Sequence, residues 1–239
     1  MIYRMQSDAT PGLISLFNWI SLLVDPAVVT LTMIMWFLLA DNKMRLLVII
    51  QFFLINAFLF GSAKTLYAES RPYWTNTEIK SLQWYCPMDY GNPSGHSWLS
   101  GTLYYLLIIE YLGSGPFNIY LSVPVIIAFI VPVSRMYLGA HSANQVVQGV
   151  VNSFALLVIY RFGLHDFLRD WIYCFLKLSK KYKHYFKKTV ILNIAITIFP
   201  LLCYGFNHLY TPPQDQVQNI MDKCNLKGDV AEQIHEKLL

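Results

Sequence analysis

Lys64 and Arg71 stand with six residues between them in the string K-T-L-Y-A-E-S-R-P, which closes on Pro72. Two further polar strings follow, P-S-G-H at Pro93–His96 and S-R-M-Y-L-G-A-H-S-A-N-Q at Ser134–Gln145. Together they hold one lysine, two arginines, two histidines and a serine beside a small-residue turn. Lysine and arginine receive phosphate oxygens, and Arg135 can do so bidentately, which a lysine cannot. An imidazole can carry a proton to a leaving oxygen or attack phosphorus itself. The set reads as a cationic cradle for a phosphoryl group with two imidazoles at its edge.

Each string taken alone has a plainer reading. Lys64 ends an apolar run, so its ammonium can reach the membrane interface by snorkelling, helped by Tyr67, Tyr73 and Trp74. Ser94 and Gly95, before the next apolar run, offer a hydroxyl and backbone N–H groups as an oxyanion seat, or simply a turn with a capping serine. His96 then falls in the first turn of a helix, within reach of a leaving oxygen. His141 and Gln145 are four apart and would share one helix face. An acceptor there can set the imidazole tautomer so that the opposite nitrogen faces substrate, and an ordinary interhelical polar pair would look the same. What the plain readings do not explain is three such strings together.

The elements that must position these groups are membrane-like. The 239-residue chain is 55% hydrophobic and 15% aromatic but only 13% charged, against ~25% charged in soluble domains. Apolar runs near the ~20 residues of a membrane crossing predict helices at Pro26–Ala40, Met44–Ala63, Ser97–Leu112, Pro116–Val133, Gln145–Phe162 and Thr189–Phe206. Pro11–Val24 is also apolar but shorter, and reads as an interfacial helix or an extension of the first span. The expected fold is an all-α polytopic membrane helix bundle of about six transmembrane helices. Asp25-Pro26 supplies a helix start, and Gly113–Pro116 a tight turn. Pro124, Pro132 and Pro200 lie inside apolar runs, where membrane helices accept kinks. Residues 1–210 form the expected membrane-embedded domain and 211–239 a polar tail, within which Val217–Leu239 could form a short amphipathic helix. No cleavable signal peptide is expected at Met1–Thr10, which carries Asp8.

With six spans, ten basic residues fall on one face and eight on the other, three of the eight belonging to the polar strings. The run Lys177–Lys188 dominates, so its side is expected to be cytoplasmic and all three strings non-cytoplasmic. Leu164–Lys188 itself reads either as an amphipathic helix on anionic headgroups or as a loop that only sets orientation. Nucleic acid is not an expected partner, because the membrane accounts for so small a basic patch. The carboxylates Glu69, Glu78 and Asp89 lack metal-site spacing, and no metal or cofactor is expected. Cys86 and Cys224 fall on one side, so a disulfide between them is allowed; no cysteine spacing suggests a metal or redox motif. The asparagines lack a usable N-x-S/T setting, which leaves no glycosylation check on topology.

The three strings resemble the signature of the type 2 phosphatidic acid phosphatase superfamily: K-x6-R-P, P-S-G-H and S-R-x5-H-x3-D. The match covers Lys64, Arg71, Pro72, Pro93, Ser94, Gly95, His96, Ser134, Arg135 and His141, and the resemblance runs from about Lys64 to Gly149. Gln145 departs from it, standing where the pattern has Asp. An amide can orient the imidazole but brings no charge, a loss of a few kcal/mol in a low-dielectric site by the estimate of about 4 kcal/mol for a close pair. A Gln there is similar to the glucose-6-phosphatase and dolichyl-diphosphatase branches, and R-P-Y-W (Arg71–Trp74) and N-Q-V-V-Q-G (Asn144–Gly149) are similar to the former.

The resemblance implies a mechanism. His141 would attack phosphorus with Gln145 orienting it; Lys64, Arg71, Ser94, Gly95 and Arg135 would hold the phosphoryl oxygens; His96 would protonate the leaving group and later help activate water. The implied activity is metal-independent hydrolysis of a phosphomonoester or diphosphate at the endoplasmic reticulum lumen or periplasmic face. A lipid phosphate or polyprenyl diphosphate entering from the bilayer leads, with surrounding lipids as the other partner. A soluble sugar phosphate is the alternative. A catalytically silent scaffold or lipid binder is the alternative of another class, and Gln145 is its sole support. The stretch Thr75–Asn92, with Trp84, Tyr85 and Tyr90, is expected to cover the site.

Overall fold

The computed structural model describes residues 1–39, 43–112, 122–176, 182–207 and 214–224. Among them every regular element is helical: α1 (Ile2–Gln6), α2 (Pro11–Leu22), α3 (Pro26–Leu39), α4 (Lys43–Tyr67), α5 (Pro72–Thr75), α6 (Gly95–Leu112), α7 (Ser122–Tyr137), α8 (Ala143–Ile159), α9 (His165–Leu176), α10 (Tyr182–Asn207) and α11 (Gln214–Lys223). A π-helical turn, Tyr160–Leu164, joins α8 to α9 without a break. By length and apolarity, Lys43–Thr75 and Ala143–Cys174 can each cross a membrane. The α2–α3 pair, bent by 47° at its break, makes a third if taken as one span.

The predicted helices are present, with boundaries moved by local chemistry. Thr10 caps α2 through its hydroxyl, and Asp25 accepts from the Ala27 and Val28 N–H groups at the start of α3. The expected helix at Gln145–Phe162 begins earlier, because Ser142 and Gln145 form a reciprocal capping box. It does not stop at Phe162 but runs on through the π turn into α9, so Leu164–Leu176 continues a helix and is no loop. Lys177, Lys180 and Lys181, the Gly113–Pro116 turn and the end of the tail lie outside the described residues.

Polar and small side chains bring the bundle helices close. The Trp98 indole on α6 donates to Asn56 Oδ1 on α4 at 3.0 Å, while Asn56 Nδ2 returns to the Phe52 carbonyl of its own helix. Ser21 of α2 meets Ser134 of α7 at 3.2 Å. A Cβ on Gly149 of α8 would stand 2.6 Å from the Ser94 carbonyl, and one on Gly101 of α6 would stand 2.5 Å from the Ser153 hydroxyl. In hydrocarbon, where burial between helices gains little, such close contacts and hydrogen bonds carry the association. Large apolar side chains such as Leu31, Leu38, Phe129, Phe154 and Phe162 point outward, as lipid contact requires.

The chain after α5 folds back as a cover over one end of the bundle. Asn18 of α2 donates to the Leu82 carbonyl and accepts from the Trp84 N–H, and Gln6 of α1 brackets Lys80 in the same way. Helix α11 docks on this cover. Ile220 is fully buried against Ile2, Tyr73, Trp74, Ile79 and Tyr90, Lys223 donates to the carbonyls of Asn76, Thr77 and Ile79, and Cys224 is bonded to Cys86.

Gly149→Ala should push α8 from α6 against a backbone carbonyl that cannot rotate away. We expect a loss of about 1–3 kcal/mol, seen as a lower thermal midpoint in detergent, with Gly12→Ala, whose Cβ meets nothing within 4 Å, close to wild type.

Candidate active site

Four helix ends meet beneath the cover: the C-termini of α4 and α7 and the N-termini of α6 and α8. Helix α4 stops at Tyr67, and Arg71 stands just before α5, where Pro72 occupies the first turn. Helix α7 stops at Tyr137, and Gly139, with φ +71°, turns the chain toward His141. A side chain at 139 would also strike the Lys80 carbonyl, so glycine is required there twice over.

His141 is 1% exposed and its two nitrogens have different surroundings. Nδ1 lies 2.8 Å from the Gly91 carbonyl and 3.3 Å from Gln145 Oε1. Both are acceptors, so Nδ1 carries the hydrogen. Nε2 is then the lone-pair nitrogen, and Arg71 Nη1 donates to it at 3.3 Å. Gln145 does not reach His141 across a shared helix face, since His141 precedes α8. It reaches back as the third residue of the capping box, its Oε1 also accepting from the Ser142 N–H. A Cβ on Gly91 would overlap the Gln145 amide at 2.6 Å, so that close approach too depends on a glycine.

The cations are gathered around one carboxylate. Arg71, 2% exposed, donates to the Asp89 carbonyl at 2.7 Å, to Asp89 Oδ1 at 2.6 Å and to the Ala140 carbonyl at 2.9 Å. Lys64 pairs with Asp89 Oδ2, its ammonium also lying 5.0 Å from the centre of the Phe60 ring. Arg135 donates to Gln83 of the cover, while its buried Nε has no hydrogen-bond partner among the described residues. Such an orphaned guanidinium donor is suited to an anion's oxygen.

The P-S-G-H string lies against the same space. The Ser94 N–H is taken by the Gln145 carbonyl, and the Ser94 carbonyl accepts from Trp98 at the start of α6. Ser97 donates to the Ser94 hydroxyl at 2.9 Å, which leaves that hydroxyl hydrogen free to donate onward. Gly95 is required by packing: a Cβ there would lie 2.4 Å from the Phe60 ring. His96 feels the charges of Arg135, Lys64, Arg71 and Asp89, and bears in turn on His141.

Burial above all, then the charges of Arg71, Arg135 and Lys64, hold His141 well below the usual imidazole value. It is therefore neutral at neutral pH, its Nε2 lone pair carrying no proton. Partial desolvation by its neighbours raises the Asp89 carboxyl, but the charges of Arg71 and Lys64 outweigh it and keep the group below the usual carboxylate range.

The structure thus brings Lys64, Arg71, Ser94, Gly95, His96, Arg135, His141 and Gln145 to one end of the bundle. Sequence reasoning missed Asp89 and Glu69, which were weighed only as metal ligands. It also missed Gly91 and the buried amide of Gln83. Glu69 accepts from Gln145 Nε2 at 3.0 Å and from Asn92 Nδ2 at 2.7 Å. Its place two residues before Arg71 was the available signal; for Asp89, inside an irregular segment, there was none.

Helices spaced by small residues, two of them long and apolar enough to cross a membrane, with cations and imidazoles gathered at their joined ends, define a helical protein of membrane type. The model of the PAP2 superfamily matches residues 42–167, just over half of the chain, and the chain belongs to that superfamily. Membership supports a phosphatase-type function. No curated protein and no solved structure matches the chain.

Asp89→Asn should leave Lys64 and Arg71 facing each other without their counter-charge. A loss of about 1–3 kcal/mol is expected, read as a drop of several degrees in thermal midpoint. Inorganic phosphate should narrow the gap, because it offers the same cations an anion.

Proposed function

We propose that this protein is an integral-membrane phosphatase that hydrolyses a phosphomonoester or diphosphate, a lipid phosphate or polyprenyl diphosphate first among them, through a phosphohistidine at His141. The observation that carries the reading is the His141 ring: its Nδ1 hydrogen is committed to Gly91 and Gln145, and its Nε2 lone pair faces the guanidinium of Arg71. Lys64, Arg71, Arg135, the Ser94 hydroxyl and the Gly95 N–H hold the phosphoryl oxygens, displacing the Asp89 carboxylate from the cations. Nε2 forms a bond to phosphorus as the bond to the leaving oxygen breaks, and protonated His96 gives that oxygen its proton. His96, now neutral, takes a proton from water; the water oxygen bonds to phosphorus, the N–P bond breaks and inorganic phosphate leaves. Three cations supply the charge that a divalent ion supplies elsewhere, which is the reason to expect hydrolysis without metal.

A lipid substrate is favoured by an apolar groove of about 540 Å³ between α2, α3 and α6, lined by Trp19, Leu23, Met33, Trp36, Leu103 and Leu107. Of its lining residues, Trp19 packs edge-on against Trp84, the neighbour of the Gln83 that holds Arg135. We further propose six crossings, by α3, α4, α6, α7, α8–α9 and α10, with the site on the non-cytoplasmic side. The Cys86–Cys224 disulfide supports that side, since disulfides persist in oxidising compartments.

Phosphate release on a panel of lipid phosphates, polyprenyl diphosphates and sugar phosphates should show turnover on the lipids, unaffected by EDTA. His141→Ala should lose roughly a thousandfold or more; faster turnover of sugar phosphate than of micellar lipid would refute the substrate ranking, and EDTA inhibition reversed by magnesium the metal-free chemistry. Because His141 is held neutral, acid should not remove the nucleophile within the ordinary imidazole range. We expect kcat/KM not to fall from about pH 7.5 to about pH 6, since acid leaves the neutral His141 its lone pair and supplies the proton that His96 gives to the leaving oxygen.

A further inference from the structure

Gln145 stands where a carboxylate would charge-balance the histidine, yet its amide is gripped at both ends. Oε1 meets two donors, the His141 Nδ1–H and the Ser142 N–H. Nε2 meets two acceptors, the Ser70 carbonyl at 2.8 Å and Glu69 Oε1 at 3.0 Å. Four partners of matching polarity leave the amide one orientation; reversed, it would point N–H groups at the His141 Nδ1–H and demand the opposite tautomer, removing the lone pair from Nε2. Glu69 is exposed on one side but held by hydrogen bonds on the other. Its second oxygen accepts from Asn92, its carbonyl from the Gly91 N–H at 2.7 Å, and the chain enters it through Ala68 at φ +44°, a left-handed conformation costly for a non-glycine residue. The segment is bent to deliver this carboxylate to the back of Gln145, on the wall of an open cavity of about 720 Å³ shared by Ser70 and Ser142.

We infer that Glu69 is a positioning residue that supplies, through the Gln145 amide, the negative charge and the orientation that a carboxylate at 145 would supply directly. The inference rests on the reading of His141 as nucleophile. A charge behind Nε2 polarises the amide toward Oε1, strengthens the Nδ1–H···Oε1 bond and favours the positive ring as the N–P bond forms.

The test is phosphate release and its pH profile for Glu69→Gln, Glu69→Asp, Gln145→Asp and the Glu69→Gln/Gln145→Asp double variant of the full chain, each checked for monodisperse elution in detergent. Glu69→Gln should lose about tenfold in kcat with KM nearly unchanged, and Glu69→Asp should recover part of it. Gln145→Asp alone sets two carboxylates against each other, so its activity should rise toward acid as one takes a proton. The double variant, with one carboxylate and one amide again, should regain most of the wild-type rate and lose that acid preference. Glu69→Gln within twofold of wild type, or a double variant no better than the single ones, would overturn the inference. If Glu69→Gln fails to fold, recovery in the double variant still decides it. A His141→Ala enzyme that turns over normally would instead sink the nucleophile assignment, a result none of the Glu69 outcomes can mimic.

Discussion

A neutral imidazole has one hydrogen and one lone pair, and its neighbours decide which nitrogen holds which. Here two acceptors from different parts of the chain, the Gly91 carbonyl and the Gln145 amide oxygen, converge on Nδ1 of His141. Nearly everything else nearby serves that convergence. Gly139 turns the chain so that the ring enters, Gly91 lets the Gln145 amide lie flat on the backbone, and the capping box of α8 fixes the amide's own position. A side chain at either glycine would move an acceptor rather than merely fill space.

The second constraint is electrostatic. Three cations within one membrane-facing end repel one another, and desolvation adds to the cost. The structure meets this with Asp89, which binds Lys64 and Arg71 through separate oxygens and also accepts from Arg71 on its carbonyl. Its side chain stays 55% exposed, so the counter-charge is a displaceable one. The cover that carries Asp89 is tied down from three directions: by Asn18 and Gln6, by α11, and by the Cys86–Cys224 bond. The last described segment, residues 214–224, thereby helps to hold the cover over the site.

Much of the helix pattern could be read directly, because the need to shield backbone polar groups in hydrocarbon forces long apolar runs into helices. Where boundaries moved, a cap or its absence moved them. Ser142 starts α8 ahead of the apolar run, and nothing in Arg161–Leu164 ends it, so the helix passes through a π turn into α9. The groups with a recognisable order, Lys64, Arg71, His96, Arg135 and His141, were likewise visible as candidates. Glu69 and Asp89 were visible only as carboxylates without a role, since their partners lie 76 and 18 residues away in sequence.

By itself the sequence determined residue types and their spacing: a chain apolar enough to form membrane helices, with cations and imidazoles confined to the ends of the runs. Those properties are local, set by side-chain transfer energies and helix geometry. The tertiary structure decided which nitrogen of His141 carries the hydrogen, which carboxylate balances the cations and which one stands behind Gln145. Hydrogen bonds are satisfied by whatever lies within about 3 Å, and only the packing of four helix ends beneath the cover determines what that is.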